Sequence, residues 1–332
     1  MGQNIGRLDG FTVIMSATFI SKIPQRTKKV LYRIIHFGFF LTLFDYLFEI
    51  TKSNFFAKIK HIKISNWLKK NFKYFVNKHY DNANAISVGE IPKKIWVCWW
   101  DGIDTMPPII RACYNSIILN AGMYQVTLIT KENYTQYINF PDHVLSNVGT
   151  GKMSLTHFSN LIRMSLLYNY GGLWLDITFL ATAEIKLEGC SFFTIRTVDF
   201  DFKHIAKGKW QGNCIAGVPG HYFFKFIYEF LCEYWRKYSC LMTYHLYDYS
   251  INLAYESFPE VKKIFDSLPK FNKNDIIKYN LNNEFDPGVF KHATNDTIFH
   301  KLTWKGNFNE KTSNDQLTFY GYILEKYKGN IV

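Results

Sequence analysis

Long apolar runs are scarce in this 332-residue chain. The longest candidate, Ile34 to Phe44, falls short of the roughly 20 apolar residues a bilayer span needs, and Arg33, Asp45 and Glu49 interrupt any extension. Cysteine is sparse and scattered: Cys98, Cys113, Cys190, Cys214, Cys232 and Cys240 include no C-x-x-C pair, which excludes zinc-ribbon and thioredoxin-type signatures. Reduced, mostly buried thiols in a cytoplasmic compartment are expected. No internal repeat or low-complexity array is present, so solenoids are excluded. Acidic residues are nearly missing from the first eighty positions, where Asp9, Asp45 and Glu49 face fourteen Lys or Arg, a net of +11. Residues 81–332 hold 25 basic and 24 acidic side chains, so the chain's +12 resides almost wholly at one end. That asymmetry argues against a nucleic-acid-binding fold and for a basic appendage facing anionic lipid.

What is present begins with a 48% hydrophobic, 18% aromatic composition, sufficient for a sizeable core. The apolar run Phe11 to Ile20 follows Arg7, but Asp9 interrupts the basic leader and no small-x-small site follows, so no signal peptide is expected. The start Met-Gly-Gln-Asn-Ile-Gly also lacks the Ser or Thr of a myristoylation signal. Val30 to Ile50 reads as an in-plane interfacial helix. Between Phe55 and Tyr80, Lys58, Lys60, Lys63, Lys69, Lys70, Lys73 and Lys78 alternate with Phe, Ile, Trp and Tyr. Such helices lie on anionic membranes, or form a solvated face packed on the body or on a partner protein.

Asp81 to Glu90 is small, polar and linker-like. Beyond it, Lys94 to Trp99 reads as a buried strand, Ile109 to Asn120 as a helix and Tyr124 to Ile129 as a second strand. Leu161, Met164, Leu167 and Tyr168 mark one face of an amphipathic helix, ended by Gly171-Gly172. Leu173-Trp174-Leu175 then forms a short buried strand. The alternation predicts an α/β domain with a mostly parallel sheet. Ligands of such sheets sit beyond the carboxyl ends of strands, so Asp176 is either a ligand-facing carboxylate or the cap of the next turn. Phe192 to Ile195, a helix over Tyr222 to Lys237 and a mainly helical stretch over 241–290 follow.

Four blocks carry a family resemblance: Ile91 to Gly102 (IPKKIWVCWWDG), His157 to Thr178 (HFSNLIRMSLLYNYGGLWLDIT), Asn213 to His221 (NCIAGVPGH) and Phe299 to Lys305 (FHKLTWK). Together they resemble the bacterial capsular polysaccharide synthesis glycosyltransferases, related to the DXD-motif sugar transferases of the mannosyltransferase and clostridial glucosylating toxin type. The likeness covers about 91–305 and implies a GT-A-like, Rossmann-like nucleotide-sugar transferase domain over 88–332. Residues 1–87 would form a helical, basic, membrane-associating extension.

The resemblance further implies transfer of a sugar, a hexose by expectation, from a UDP-type donor to a lipid-linked glycan, with retention, by a peripheral enzyme on the cytoplasmic face of the membrane. Asp176 and Arg163, thirteen residues apart as in the related transferases, take the catalytic positions. Donor contacts are implied for Trp99, either a base platform or a core residue, and for Ser159, Asn160, Arg163 and Gly172. Asp176, Asn213 and Lys301 complete that set. A divalent cation, Mn or Mg, would be held by Asp176, Thr178 and His300. Thr178 replaces the second Asp of the motif, and a neutral hydroxyl is a poorer ligand for a hard cation, so metal dependence is in question. Asn160 replaces an Asp common in the family. A literal D-x-D at Asp199-Phe200-Asp201 lacks the helix, Gly-Gly turn and strand around it. Asp248 could meet an acceptor hydroxyl or be a solvated helical carboxylate. With Asn160 and Thr178 in view, a silent sugar-binding or scaffold subunit is the alternative to the enzyme.

Overall fold

The computed structural model describes residues 24–83, 89–198, 200–270 and 275–329, and the backbone of 5–8 and 11–14. Strands β1 (Ile5–Leu8) and β2 (Phe11–Ile14) form an antiparallel pair. Four helices follow: α1 (Gln25–Phe37), α2 (Phe39–Thr51), α3 (Asn54–Asn71) and α4 (Lys73–Ala83). The single helix expected over 30–50 is broken at Gly38, whose φ of 95° no helix accommodates. Ser53 caps α3 by accepting from the Phe55 amide.

The α/β body starts with β3 (Lys94–Cys98), α5 (Pro108–Leu119) and β4 (Gln125–Ile129), close to the expected bounds. Next come α6 (Asp142–Gly149), α7 (Leu155–Tyr170), β5 (Gly172–Leu175), β6 (Phe179–Ala181), β7 (Phe192–Thr194) and β8 (Cys214–Gly217). Helices α8 (Tyr222–Lys237), α9 (Leu246–Ser257), α10 (Pro259–Ser267), α11 (Ile276–Tyr279) and α12 (Pro287–Thr294) precede β9 (Phe299–Lys301) and α13 (Phe319–Lys326).

The central sheet has the order β4-β3-β5-β8-β7. Strand β3 pairs in parallel with β4 and β5, while β8 runs antiparallel to both β5 and β7, so four of the five strands share one direction. Side-chain alternation divides the sheet between two cores. Trp96, Trp174 and Ile215 face the cluster built on α7, α8 and α9. Ile95, Val97, Leu173, Leu175 and Ala216 face the cluster that contains α5 and α13 residues. This is an α/β architecture in three layers.

Two expectations change. Helix α7 is not amphipathic: every residue from Asn160 to Leu167 is buried, because the sheet lies on one side and α8 on the other. The helical N-terminal region is likewise no detached appendage. Phe37, Leu41, Ile64, Leu68 and Phe72 belong to the same core as Phe226 and Phe230, with the Phe72 and Phe230 rings 4.7 Å apart. A buried polar network among the N-terminal helices reaches across the junction through Thr243 and Met242. Asp45 receives Arg33 at 2.5 Å and the Thr243 hydroxyl at 3.1 Å, and Lys60 lies 3.6 Å away. Arg33 also donates to the Met242 carbonyl. Residue 87 therefore marks no packing boundary. Among the described residues, no helix is long and apolar enough to cross a membrane.

Candidate active site

The turn from α7 into β5 sets the site. Gly171 and Gly172 both have positive φ, and a Cβ at Gly172 would stand 2.6 Å from the Lys94 carbonyl oxygen. Gly172 thus lets β5 close against β3; it does not line the cleft described below, so its expected donor contact is replaced by this packing role. Residues two apart on a strand share a face, and Asp176 follows Trp174 onto the α7 side of the sheet. There the Trp174 indole donates to Asp176 Oδ1 at 2.9 Å and Arg163 Nη2 donates to the same oxygen at 2.7 Å. Lys301 Nζ, brought in from the end of β9, donates to Oδ2 at 3.1 Å. The Asp176 amide donates to the Asn213 carbonyl at 2.9 Å, tying the carboxylate's backbone to the start of β8.

Arg163 is held in a second way. Its guanidinium lies between the Trp174 ring, 5.0 Å away, and the Tyr247 ring, 4.8 Å away. Nη1 donates to Asn160 Oδ1 at 3.1 Å, so the amide that replaces the family's carboxylate still orients the arginine. Burial raises the Asp176 carboxyl, but Lys301 and then Arg163 outweigh it and hold the group down at about 2. Asp176 is therefore an anion throughout any physiological range and is unsuited to donate a proton. Burial raises the neighbouring Cys98 thiol to about 12, and the Asp176 charge adds to this, so Cys98 is no nucleophile. All six cysteines are unpaired, as expected.

These groups open into a cleft of about 760 Å³. Of the expected site residues, Ser159, Asn160, Arg163, Asp176, Asn213 and Lys301 line it. The opposite wall is built from Trp210, Tyr244, His245, Tyr247 and Asp248. Asp248 accepts from the Trp210 indole at 3.2 Å, so it is more than a solvated helical carboxylate. The sequence carries no signal for this wall beyond the Tyr-Asp-Tyr triplet: its members come from a loop and a helix with no periodic or motif relation to Asp176. Asp201 lines the cleft rim and accepts from the Lys203 amide at 2.9 Å, whereas Asp199 lies outside the described residues.

Trp99 is not brought into this cleft. Its indole donates to Thr105 Oγ1 at 2.8 Å and its ring meets Trp304 edge to face at 6.0 Å. His300 is also elsewhere. It neighbours Lys301 on β9, and alternation sends it to the other side of the β6–β9 ladder, where it is fully buried with Nε2 2.9 Å from the Thr297 carbonyl oxygen. The expected third metal ligand therefore does not face Asp176.

Thr178 Oγ1 and Asn213 Oδ1 are buried without a partner. An unsatisfied buried oxygen costs about 1–3 kcal/mol, which a ligand's hydrogen bond would remove. Among the described residues no three His, Cys, Asp or Glu side chains converge on a metal-sized point. Both Asp176 oxygens already accept from cationic groups. One carboxylate flanked by an ammonium and a guanidinium does not fit a resident Mn or Mg ion, which takes several oxygen ligands and is repelled by both cations.

A family model described as capsular polysaccharide synthesis protein matches residues 44–323, which includes α3, α4 and most of α2 as well as the α/β body. O-glycosyltransferase braB of Annulohypoxylon truncatum is 28% identical over 93 residues, 25% of this chain, and the matched region spans only 22% of that relative's length. The PaToxG glycosyltransferase structure superposes over 83% of this chain and 96% of its own, with 12% identity and a TM-score of 0.40.

Proposed function

Because this chain belongs to the capsular polysaccharide synthesis protein family, we propose that it is a glycosyltransferase that moves a hexose from a nucleoside-diphosphate donor, of the UDP-sugar type, to a lipid-linked glycan. The observation that carries this reading is the Arg163–Asp176–Lys301 constellation, a permanent anion between two cations on the wall of a cleft large enough for a nucleotide sugar.

Each group has a chemical task. Breaking the bond between the anomeric carbon and the diphosphate leaves the bonding electrons on the diphosphate oxygen, and a cation placed there lowers the barrier. Lys301, partly exposed to the cleft on its flexible stem, can turn from Asp176 to that oxygen. Arg163 is buried, stacked and fixed, and it positions Asp176. Asp176 accepts hydrogen bonds from sugar hydroxyls, while Asn213 Oδ1 is a further acceptor toward the donor. No step is routed through a metal, since the donor set does not fit one.

Of the other carboxylates lining the cleft, Asp248 accepts from the Trp210 indole, Asp201 accepts from the Lys203 amide and Asp275 lies 3.8 Å from Lys278. With retention, which the family resemblance implies, this favours same-face attack over a covalent glycosyl-enzyme. The acceptor hydroxyl bonds to the anomeric carbon as the diphosphate departs, and the hydroxyl proton passes to the departing oxygen. The wall of Tyr244, His245 and Asp248 is assigned to the acceptor. A peripheral location at an anionic membrane places the enzyme beside a lipid-linked acceptor and raises its effective concentration.

Release of nucleoside diphosphate from UDP-hexoses by the purified chain, lost in Asp176→Ala, tests the reading. No turnover with any nucleotide sugar, with or without manganese, would favour a sugar-binding scaffold.

A further inference from the structure

Helix α2 is apolar on its outer face. Its buried positions are Leu41, Thr42, Asp45 and Phe48, while Phe39, Phe40, Tyr46 and Ile50 are exposed and Leu43, Phe44 and Leu47 are partly so. At 3.6 residues per turn those seven apolar side chains occupy a continuous arc of roughly 160°. A helix facing water shows the opposite pattern.

Helix α3 extends the same surface. Phe44 and Phe56 lie 6.3 Å apart, Phe55 and Phe56 5.3 Å, and Lys63 Nζ stands 5.8 Å from the Phe40 ring. Phe55 and Ile62 on α3 are at least 60% exposed. Lys52, Lys58 and Lys63 border the patch, against Glu49 as its one acid among the described residues of α2 and α3 other than buried Asp45. An apolar patch of this size with a basic rim matches an anionic lipid surface better than a soluble protein, whose docking faces deplete lysine.

The patch is joined to the cleft. Lys58 Nζ lies 4.7 Å from the Phe202 ring, and His61 Nε2, one turn further along α3, lies 3.0 Å from the Phe202 carbonyl oxygen. Phe200 and Asp201 of that segment line the cleft, and Phe200 and Phe202 are themselves exposed.

We infer that the outer face of the α2–α3 hairpin seats in the headgroup–acyl boundary of an anionic bilayer, with Phe200 and Phe202 bringing the cleft rim to the lipid surface. This takes the lipid-linked acceptor from the reading above, but the binding itself needs no turnover. The lysines meet the phosphates, the phenylalanines enter below them, and the buried Arg33–Asp45–Lys60 network fixes the hairpin's angle to the body.

Sedimentation of the full chain with phosphatidylcholine vesicles, with and without phosphatidylglycerol, tests this. The chain should pellet with the mixed vesicles, and Phe40→Ser combined with Phe55→Ser should weaken that binding about tenfold or more. Both side chains are exposed, so thermal melting and donor hydrolysis in vesicle-free buffer should be unchanged. Tyr46→Trp should add emission that brominated acyl chains quench. Equal sedimentation of the double variant would overturn the inference. So would a lipid-free oligomer that the double variant dissolves, since protein would then cover the face. Vesicle binding without donor turnover would instead count against the glycosyltransferase reading alone.

Discussion

Lys301 Nζ and Asp176 Oδ2 are 3.1 Å apart across 125 residues of sequence, and this contact closes the candidate donor site. Strand β9 exists to deliver it: pairing of Phe179 with Lys301 in the β6–β9 ladder sets the ammonium over the Phe179 ring, 5.0 Å away, and points it at the carboxylate. If Lys301 stabilises the departing diphosphate, Lys301→Met should lower kcat for donor hydrolysis about 10²- to 10³-fold, with Lys301→Arg recovering part of it. Release of nucleoside diphosphate measured for the three proteins decides this; an unchanged kcat in Lys301→Met would rule the role out.

Arg163 presents a planar fork to two acceptors between two aromatic rings, an arrangement a lysine cannot reproduce. Arg163→Lys should therefore lower donor affinity and turnover at least about tenfold. Arg163→Met should cost on the order of 3 kcal/mol of stability, because Asp176 loses its nearest cation in a largely buried setting. Titration calorimetry with a UDP-hexose and urea denaturation separate the two effects.

Manganese should neither stimulate donor hydrolysis nor be needed after chelation, because Asp176 is already neutralised by two cations. In Thr178→Asp, a second carboxylate enters the motif, and manganese should then raise the rate or the donor affinity. An activity of the unaltered chain that vanishes with EDTA and returns with manganese would contradict this account of the site.

Asp45 is the buried hub between the N-terminal helices and the body. Removing it in Asp45→Ala leaves Arg33 without its anion and Lys60 with only Glu49, 4.0 Å away, which should destabilise the protein by about 3–5 kcal/mol. Replacing Lys60 by Met in the same background should return part of the loss. Denaturant midpoints for the single and double variants measure the coupling.

The acid limb of stability should be set by histidines. Burial is the main force lowering His61 to about 4, His79 to about 4 and His221 to about 4, from an ordinary value near 6.5. Between pH 6.5 and 4 the unfolded chain binds protons at these sites and the folded chain does not, so stability is full above about 6.5 and declines as pH falls toward 4. Asp176, held at about 2, contributes no such decline until lower pH, between its unfolded value near 3.9 and about 2. Melting temperatures should fall by several degrees from pH 7 to 5, less so in His61→Asn. A melting temperature flat over that interval would refute this.

Local sequence determined the elements. Helix α8 occupies the predicted Tyr222–Lys237, and β3, α5, β4 and β5 fall within two residues of expectation, because hydrophobic period, proline and Gly-Gly punctuation act over a few residues. The thirteen-residue spacing of Arg163 and Asp176 was legible only through the family resemblance, since local pattern alone makes Arg163 a surface arginine; in the fold, one helix, one tight turn and one strand bring the two face to face.

Only the tertiary structure decided what lies across from them. Which of His300 and Lys301 reaches Asp176 depends on the register of β9 against β6, and neighbouring residues on a strand point to opposite sides. The aromatic wall of Trp210 and Tyr247 comes from segments related to Asp176 only by packing. The same holds for the N-terminal helices. Their basic, aromatic composition announced an interface, but the outward turn of Phe40 and the burial of Asp45 follow from partners, Arg33, Lys60 and Thr243, that the fold alone assembles around one carboxylate.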